Sequence, residues 1–295
     1  MRLPRIMLGA NPFHGVSHKS SELRVEYKRR FTKPEAVLEI IDRSFELGIR
    51  GVHGYCSELE IEAISRAKEK YGKELVVVSV IPDLYAAASR QLGVQVRGGA
   101  DIQKLKSLMR NMPGLVFAGL TGNLLPLVGH SLDTELNLIK PTKPSFVILH
   151  GYLTDVVSAL RQGQMISLFM DKVRKIGAVP GMATHNLVNL CSALKEMKMK
   201  LPIIMTPVNA NGFMMRPSQQ ACVEAIRELK DTVVIAKKVL AGGVIQPLEA
   251  QKYVFDDVGI RAAALGIAST KEASEAFLAS KSVLGERFSE GIEVL

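Results

Sequence analysis

The chain has 295 residues, 47% of them hydrophobic and 23% charged, a balance that fits a globular protein and excludes a disordered one. No apolar run approaches the ~18 residues of a membrane span, the opening MRLPRIMLGANPFHG lacks the features of a signal peptide, and three Cys argue against a disulfide framework. The 38 basic and 29 acidic residues give a net charge of +9. The bases are scattered over helical segments, as at Arg66, Lys68, Lys70 and Lys73, without interleaved aromatics, so they read as a solvated surface. A cytoplasmic protein with a small-molecule substrate and neither a nucleic-acid nor a membrane partner is expected, and the excess charge adds some weight to an anionic substrate.

Short apolar runs alternate with longer amphipathic ones. Ile6 to Asn11 reads as a first strand. Thr32 to Glu35 spells a capping box with Pro34 inside it, followed by Val37, Ile40, Ile41 and Phe45 at helical spacing and Gly48 at the end. Gly51 to Tyr55 is the next strand, and a second box, Ser57 to Glu60, opens a helix over Ile61 and Ile64. Further strands are predicted at Leu75 to Ile81, Leu115 to Leu120, Phe146 to His150, Val179 to Thr184, Pro202 to Asn209, Val233 to Leu240 and Ala262 to Ala268. Helices are predicted from Met165 to Gly177, from Ser218 onward, and from the box Ser269 to Glu272 onward.

Strands that are apolar along their whole length are buried on both faces, hence parallel and covered by helices. The number of strand–helix units favours a closed (β/α)8 TIM barrel, one domain spanning residues 1–295. Nine strand candidates exceed eight by one, so residues 82–143, which contain Leu115 to Leu120, are read as an elaborated insertion.

Chemistry in such barrels gathers where the strands end. Four of the six His, namely His14, His53, His150 and His185, close predicted strands. Such a set could ligate a divalent transition metal such as Zn or Fe, with Glu58 or Cys56 as further donors, or act in acid–base and polarising roles around a carbonyl. Lys237 and Lys238 interrupt an apolar strand, and side-chain alternation sends one of the two inward. Gly242 and Gly243 permit close approach of a ligand to the backbone, and Ser269 and Thr270 open a helix whose amides can hold a phosphate. Asn186 and Asn209 follow strands and are candidate cofactor contacts. Cys191 and Cys222 fall on apolar helix faces and read as core thiols.

These residues resemble the aldo/keto reductase superfamily. LGANPFHG looks like its first strand and loop, GIRGVHGY stands at its second strand, and GMATHN and MTPVNANG are similar to later strand ends. VIAKKVLAGGVI looks like a segment that places Lys238 on a family Lys, and ALGIASTKEASE is similar to the cofactor-phosphate helix. The resemblance implies a barrel reductase using NAD(P)H. The family tetrad is Asp and Tyr after the second strand, Lys on the third and His on the fourth. His150 matches the His, His53 stands at the Asp position, Glu58 falls where the Tyr would be, Val80 is near the Lys, and Ser274 is near the usual 2′-phosphate Arg.

Three functions are thus carried forward. The leading one is a metal-dependent hydrolase- or lyase-type enzyme on an anionic or carbonyl substrate, with metal ligands His14, His53, His150 and His185. In it, Tyr55 or Glu58 serves as acid–base group and Lys238 as a further catalytic candidate. The second is an NAD(P)H-dependent oxidoreductase with an altered tetrad, in which Tyr55 assisted by His150 is the candidate donor, with Asn186, Asn209, Gly242, Gly243, Ser269 and Thr270 on the cofactor. The third is a non-catalytic ligand-binding barrel.

Overall fold

A computed structural model describes residues 1–17, 19–55, 57–82 and 125–294. Eight parallel strands close on themselves: β2 (Ile6–Gly9), β3 (Gly51–Tyr55), β4 (Val76–Ile81), β5 (Phe146–Leu149), β6 (Val179–Ala183), β7 (Ile203–Pro207), β8 (Val233–Lys237) and β9 (Ala262–Gly266). Closure is made by β2, which pairs through Leu8 with Val52 of β3 on one side and with Leu265 of β9 on the other. The eight strands coincide with eight of the nine expected, each within a few residues. The ninth candidate, Leu115 to Leu120, lies outside the described residues.

Inward positions alternate along each strand and fill the barrel with Met7, Val78, Val80, Phe146, Ile148, Ile203, Met205, Val233, Ile235 and Ala264. Gly181 is one of the places where bulk is excluded, since a Cβ there would stand 2.5 Å from Ile148 Cδ1. The floor is a feature no local pattern indicated. Two short strands, β1 (Arg2–Pro4) and β10 (Gly291–Glu293), pair antiparallel and drive Leu3 and Ile292 into the interior cluster. Chain ends that are distant in sequence thereby plug the end opposite the strand C-termini.

The outer helices bury one apolar stripe each. α1 (Ser21–Arg30), capped by Ser20, buries none of its own residues, whereas α2 (Pro34–Glu46) buries Val37, Ile40 and Ile41. The box expected from Thr32 does not form: the helix starts at Pro34 with Lys33 as an N-cap that makes no side-chain bond. The other two boxes do form. Ser57 caps α3 (Glu58–Tyr71) by accepting the Glu60 amide. A fourth helix, α4 (Leu125–Ile139), precedes β5. Between β5 and β6 run two helices, α5 (Gly151–Ala159) and α6 (Gly163–Lys175), followed by α7 (Leu187–Glu196) and α8 (Gln219–Glu228). α9 (Pro247–Lys252) follows β8, and α10 (Thr270–Leu284) is capped by Ser269. None of the described helices is long and apolar enough to cross a membrane.

Candidate active site

The four strand-ending His do meet at one mouth of the barrel, but tyrosine rings separate them. Tyr55, at the end of β3, packs its ring 4.7 Å from His14, 5.8 Å from His53 and 6.1 Å from His150 between ring centres. Tyr152 then continues the row at 5.4 Å from both His150 and His185. Alternation explains the convergence. Tyr55 and Lys237 end β3 and β8 on the inward face, His150 and His185 follow one residue after β5 and two after β6 in the same alternation, and His53 lies one layer deeper, two residues before Tyr55.

Each imidazole has its own surroundings. His14 pairs through Nε2 with the Glu60 carboxylate, which is fully buried and also accepts from Ser57 Oγ at 2.8 Å. The carboxylate at the mouth is therefore Glu60, while Glu58 is exposed at the first position of α3. His53 is 7% exposed, and among the described residues neither ring nitrogen has a hydrogen-bond partner. Burial, with Lys237 as a positive neighbour, lowers its pKa from 6.5 to about 4, so it is neutral at pH 7.

His150 accepts the Tyr152 backbone N–H on Nδ1 at 3.3 Å, which puts the proton of the neutral ring on Nε2. His185 is held by Asp155 on α5. The carboxylate accepts from Thr184 Oγ1 at 2.5 Å and from the His185 backbone N–H, and it lies 3.3 Å from His185 Nδ1. Burial lowers the His185 pKa, with Asp155 opposing that shift. The other ring nitrogen, Nε2, lies 3.2 Å from Lys237 Nζ. With the proton on Nδ1 toward Asp155, Nε2 is free to accept from that ammonium.

Of the two adjacent lysines, Lys237 is thus the one that enters the mouth. It ends β8 on the face that Val233 and Ile235 bury inside the barrel. Lys238, the residue favoured by the sequence, follows in left-handed conformation at φ 58° outside the strand. The Lys237 residue keeps intermediate exposure, yet its amine is enclosed enough that burial, reinforced by Lys238, lowers its pKa to about 7. The cation of the site therefore stands on the seventh strand of the barrel, whereas Val80 on the third is buried hydrocarbon. Asp155, Glu60 and Lys237 are the groups that sequence reasoning did not assign to the site. Glu60 was visible as part of its capping box, but Asp155 carried no local signal.

The metal reading finds no support here. Among the described residues no group of three or more His, Cys, Asp or Glu side chains is arranged to hold a metal ion. Interleaved tyrosines keep the imidazoles apart, and His14 and His185 are already engaged by Glu60 and Asp155. Cys56, suggested as a donor, lies outside the described residues.

The cofactor candidates divide. Asn209 is fully buried and closes its own loop, accepting the Phe213 N–H at 2.8 Å and donating to the Phe213 carbonyl at 3.0 Å. Asn186 caps α7 by accepting the Asn189 amide. Both thus have structural partners. Gly242 and Gly243, at φ 80° and 89°, form the turn after β8, with Lys19 alongside. Ser269 accepts the Glu272 amide and Glu272 takes the Ala268 N–H at 2.7 Å. In such a box the amides of Thr270 and Lys271 have no acceptor within the helix. Arg43 of α2 donates to Ser274 Oγ from Nη2 at 3.1 Å, so an arginine does stand beside Ser274. An open groove elsewhere, between α4 and α6, includes Gly129, His130, Asp133 and Lys172 and none of the mouth residues.

No family model matches this sequence, and no curated protein matches it either. Solved structures do match. An aldo-keto reductase from Bacillus halodurans in its holo form superposes with a TM-score of 0.62 at 12% identity, over 94% of this chain and 86% of that one. A Pseudomonas aeruginosa protein described as an aldo-keto reductase gives 0.59 at 15% identity, over 95% and 90%. A thermostable aldo-keto reductase bound to the inhibitor epalrestat gives 0.57 at 12%, over 97% and 93%. The fold is that of the aldo-keto reductases. At such identities the likeness carries the fold and leaves the chemistry to the site.

Proposed function

We propose that this aldo-keto reductase-like barrel is an NAD(P)H-dependent reductase of small carbonyl compounds. The observation that carries the reading is Tyr55, whose hydroxyl stands at the strand C-termini with its ring between His14 and His150. Its O–H donates to Asn11 Oδ1 at 3.2 Å, which fixes the phenol at the mouth. A carbonyl oxygen placed there accepts from Tyr55 O–H and from His150 Nε2–H. The donation from Tyr152 to Nδ1 leaves His150 in the tautomer that can do this. Two donors on one oxygen polarise the carbonyl and stabilise the alkoxide as charge develops. Tyr55 Oη is the atom from which the proton leaves, its single hydrogen turning from Asn11 Oδ1 to the substrate oxygen.

The late loops fit a phosphate-bearing dinucleotide. The outward amides of Thr270 and Lys271, the side-chain-free Gly242–Gly243 turn and the neighbouring Lys19 all suit an anion. Bound there, the cofactor supplies a hydride. The mouth does not reproduce the family's tetrad, since the deep position is a neutral His53 and the amine arrives on Lys237. The test is fluorescence titration with NADPH and NADH, followed by a screen of aldehydes and ketones for cofactor oxidation. Absence of binding at millimolar cofactor removes the proposal.

A further inference from the structure

Lys237 is a cation built into the mouth, and among the described residues no carboxylate pairs with it. Among the described residues its Nζ has one polar partner, His185 Nε2 at 3.2 Å. The nearest acid facing it is Asp155, on the far side of the His185 ring and engaged there by His185 and Thr184. The other groups that face it are Lys238 next in the chain and His53 from β3, the second of them neutral. Gly151 packs its bare backbone against this pair: a Cβ there would stand 2.7 Å from His185 Cε1 and 3.5 Å from Lys237 Nζ. One layer deeper lies His53, more than nine-tenths buried, with two ring nitrogens that find no hydrogen-bond partner among the described residues. A desolvated ammonium without a counter-charge and an unsatisfied buried imidazole are both unfavourable in isolation, and one bound anion relieves both.

We infer that the mouth takes a carbonyl compound bearing an adjacent carboxylate, that is, a 2-oxo acid. The carboxylate sits against Lys237 Nζ with His53 N–H as a second donor, and the carbonyl oxygen faces Tyr55 and His150. A monoanion suits the site because one ammonium and one neutral imidazole balance a single negative charge, and a phosphate dianion would leave charge uncompensated in a partly desolvated place. This rests on the reductase reading and narrows it. The neighbours named above also set the pH dependence. Lys237 holds an anion only when protonated, and its pKa in the empty mouth is about 7. Affinity is therefore complete below pH 7 and falls by about tenfold per pH unit well above it.

The experiment is calorimetric titration of the full chain, without cofactor, with pyruvate and with pyruvamide, its neutral isostere. At pH 6.5 pyruvate is expected to bind about tenfold more tightly or better, as one charge-assisted contact gives. The preference should vanish in Lys237→Met, persist in Lys238→Met, and shrink as the pH rises from 7 to 9. Equal affinity for the two probes overturns the inference, as does a preference that survives Lys237→Met. Thermal melts confirm that each variant is folded, and Lys237→Gln repeats the test with a polar side chain. Because the readout is binding without cofactor, a failure of NAD(P)H to bind or react sinks the reductase reading and leaves this measurement standing. Cofactor-dependent reduction of neutral ketones without any carboxylate preference does the reverse.

Discussion

Replacing Lys237 by Met should stabilise the protein at neutral pH, although it removes a hydrogen bond and a charge from the proposed site. Burial lowers the amine from 10.5 to about 7, so the folded state disfavours the ammonium by ~5 kcal/mol. The residue keeps intermediate exposure, so a discounted value of ~3 kcal/mol is the better one to carry. Met leaves His185 Nε2 without its 3.2 Å partner, which costs ~1 kcal/mol at a partly exposed position. The net gain is ~2 kcal/mol. A chain of 295 residues unfolds with an entropy of roughly 0.6 kcal/mol/K, so the midpoint rises by about 3 °C at pH 7. The sign with pH follows from protons bound. Below about pH 7 both folded and unfolded wild type carry the proton, and the penalty is complete. Between about 7 and 10.5 the unfolded chain binds more protons than the folded one, so wild-type stability rises relative to the variant. Thermal melts of both proteins from pH 6 to 10 should show a gap that is widest at the acid end and closes toward pH 10. A variant less stable than wild type at pH 7, or a gap independent of pH, would show that Lys237 is not desolvated as the geometry requires.

Tyr55→Phe should lower turnover of any carbonyl substrate by about 100-fold or more while leaving cofactor binding unchanged, since it deletes the proton donor and keeps the ring; steady-state rates beside fluorescence titration check this. His53→Leu should remove an acid-labile element. Its pKa falls from 6.5 to about 4 on folding, so wild-type stability drops by up to ~3 kcal/mol as pH falls through that window. Urea titrations at pH 7 and pH 4 should show a smaller drop in the variant. Gly243→Val strains a residue at φ 89° and crowds the turn beside Lys19, so NADPH affinity should fall several-fold with little change in the barrel's melting temperature. A chain that binds NADPH equally well after that change does not use this turn.

The barrel was legible because each of its strands announces itself. VVVSVI, FVIL and VVIA are apolar on both faces, as only a helix-covered parallel strand needs to be, and Ser57 and Ser269 mark helix starts by local bonding alone. Even the convergence of four His could be read, because strand ends define the mouth of such a barrel. What those His do could not, because a histidine's chemistry depends on neighbours contributed by other strands. His14 is engaged by Glu60, His185 by Asp155 and Lys237, and His53 by no hydrogen-bond partner among the described residues, while the Tyr55 and Tyr152 rings pack against the imidazoles. Residues 30 to 52 positions apart make those contacts, and no short window of sequence contains them.

Sequence alone determined the alternation of elements, the number of barrel strands and the place where polar residues gather, because hydrophobic period and helix capping act within a few residues. Tertiary structure decided which of two adjacent lysines faces inward, which glutamate reaches the mouth and which imidazole stays neutral. Those are matters of strand register, burial and through-space electrostatics, and they exist only once the barrel has closed.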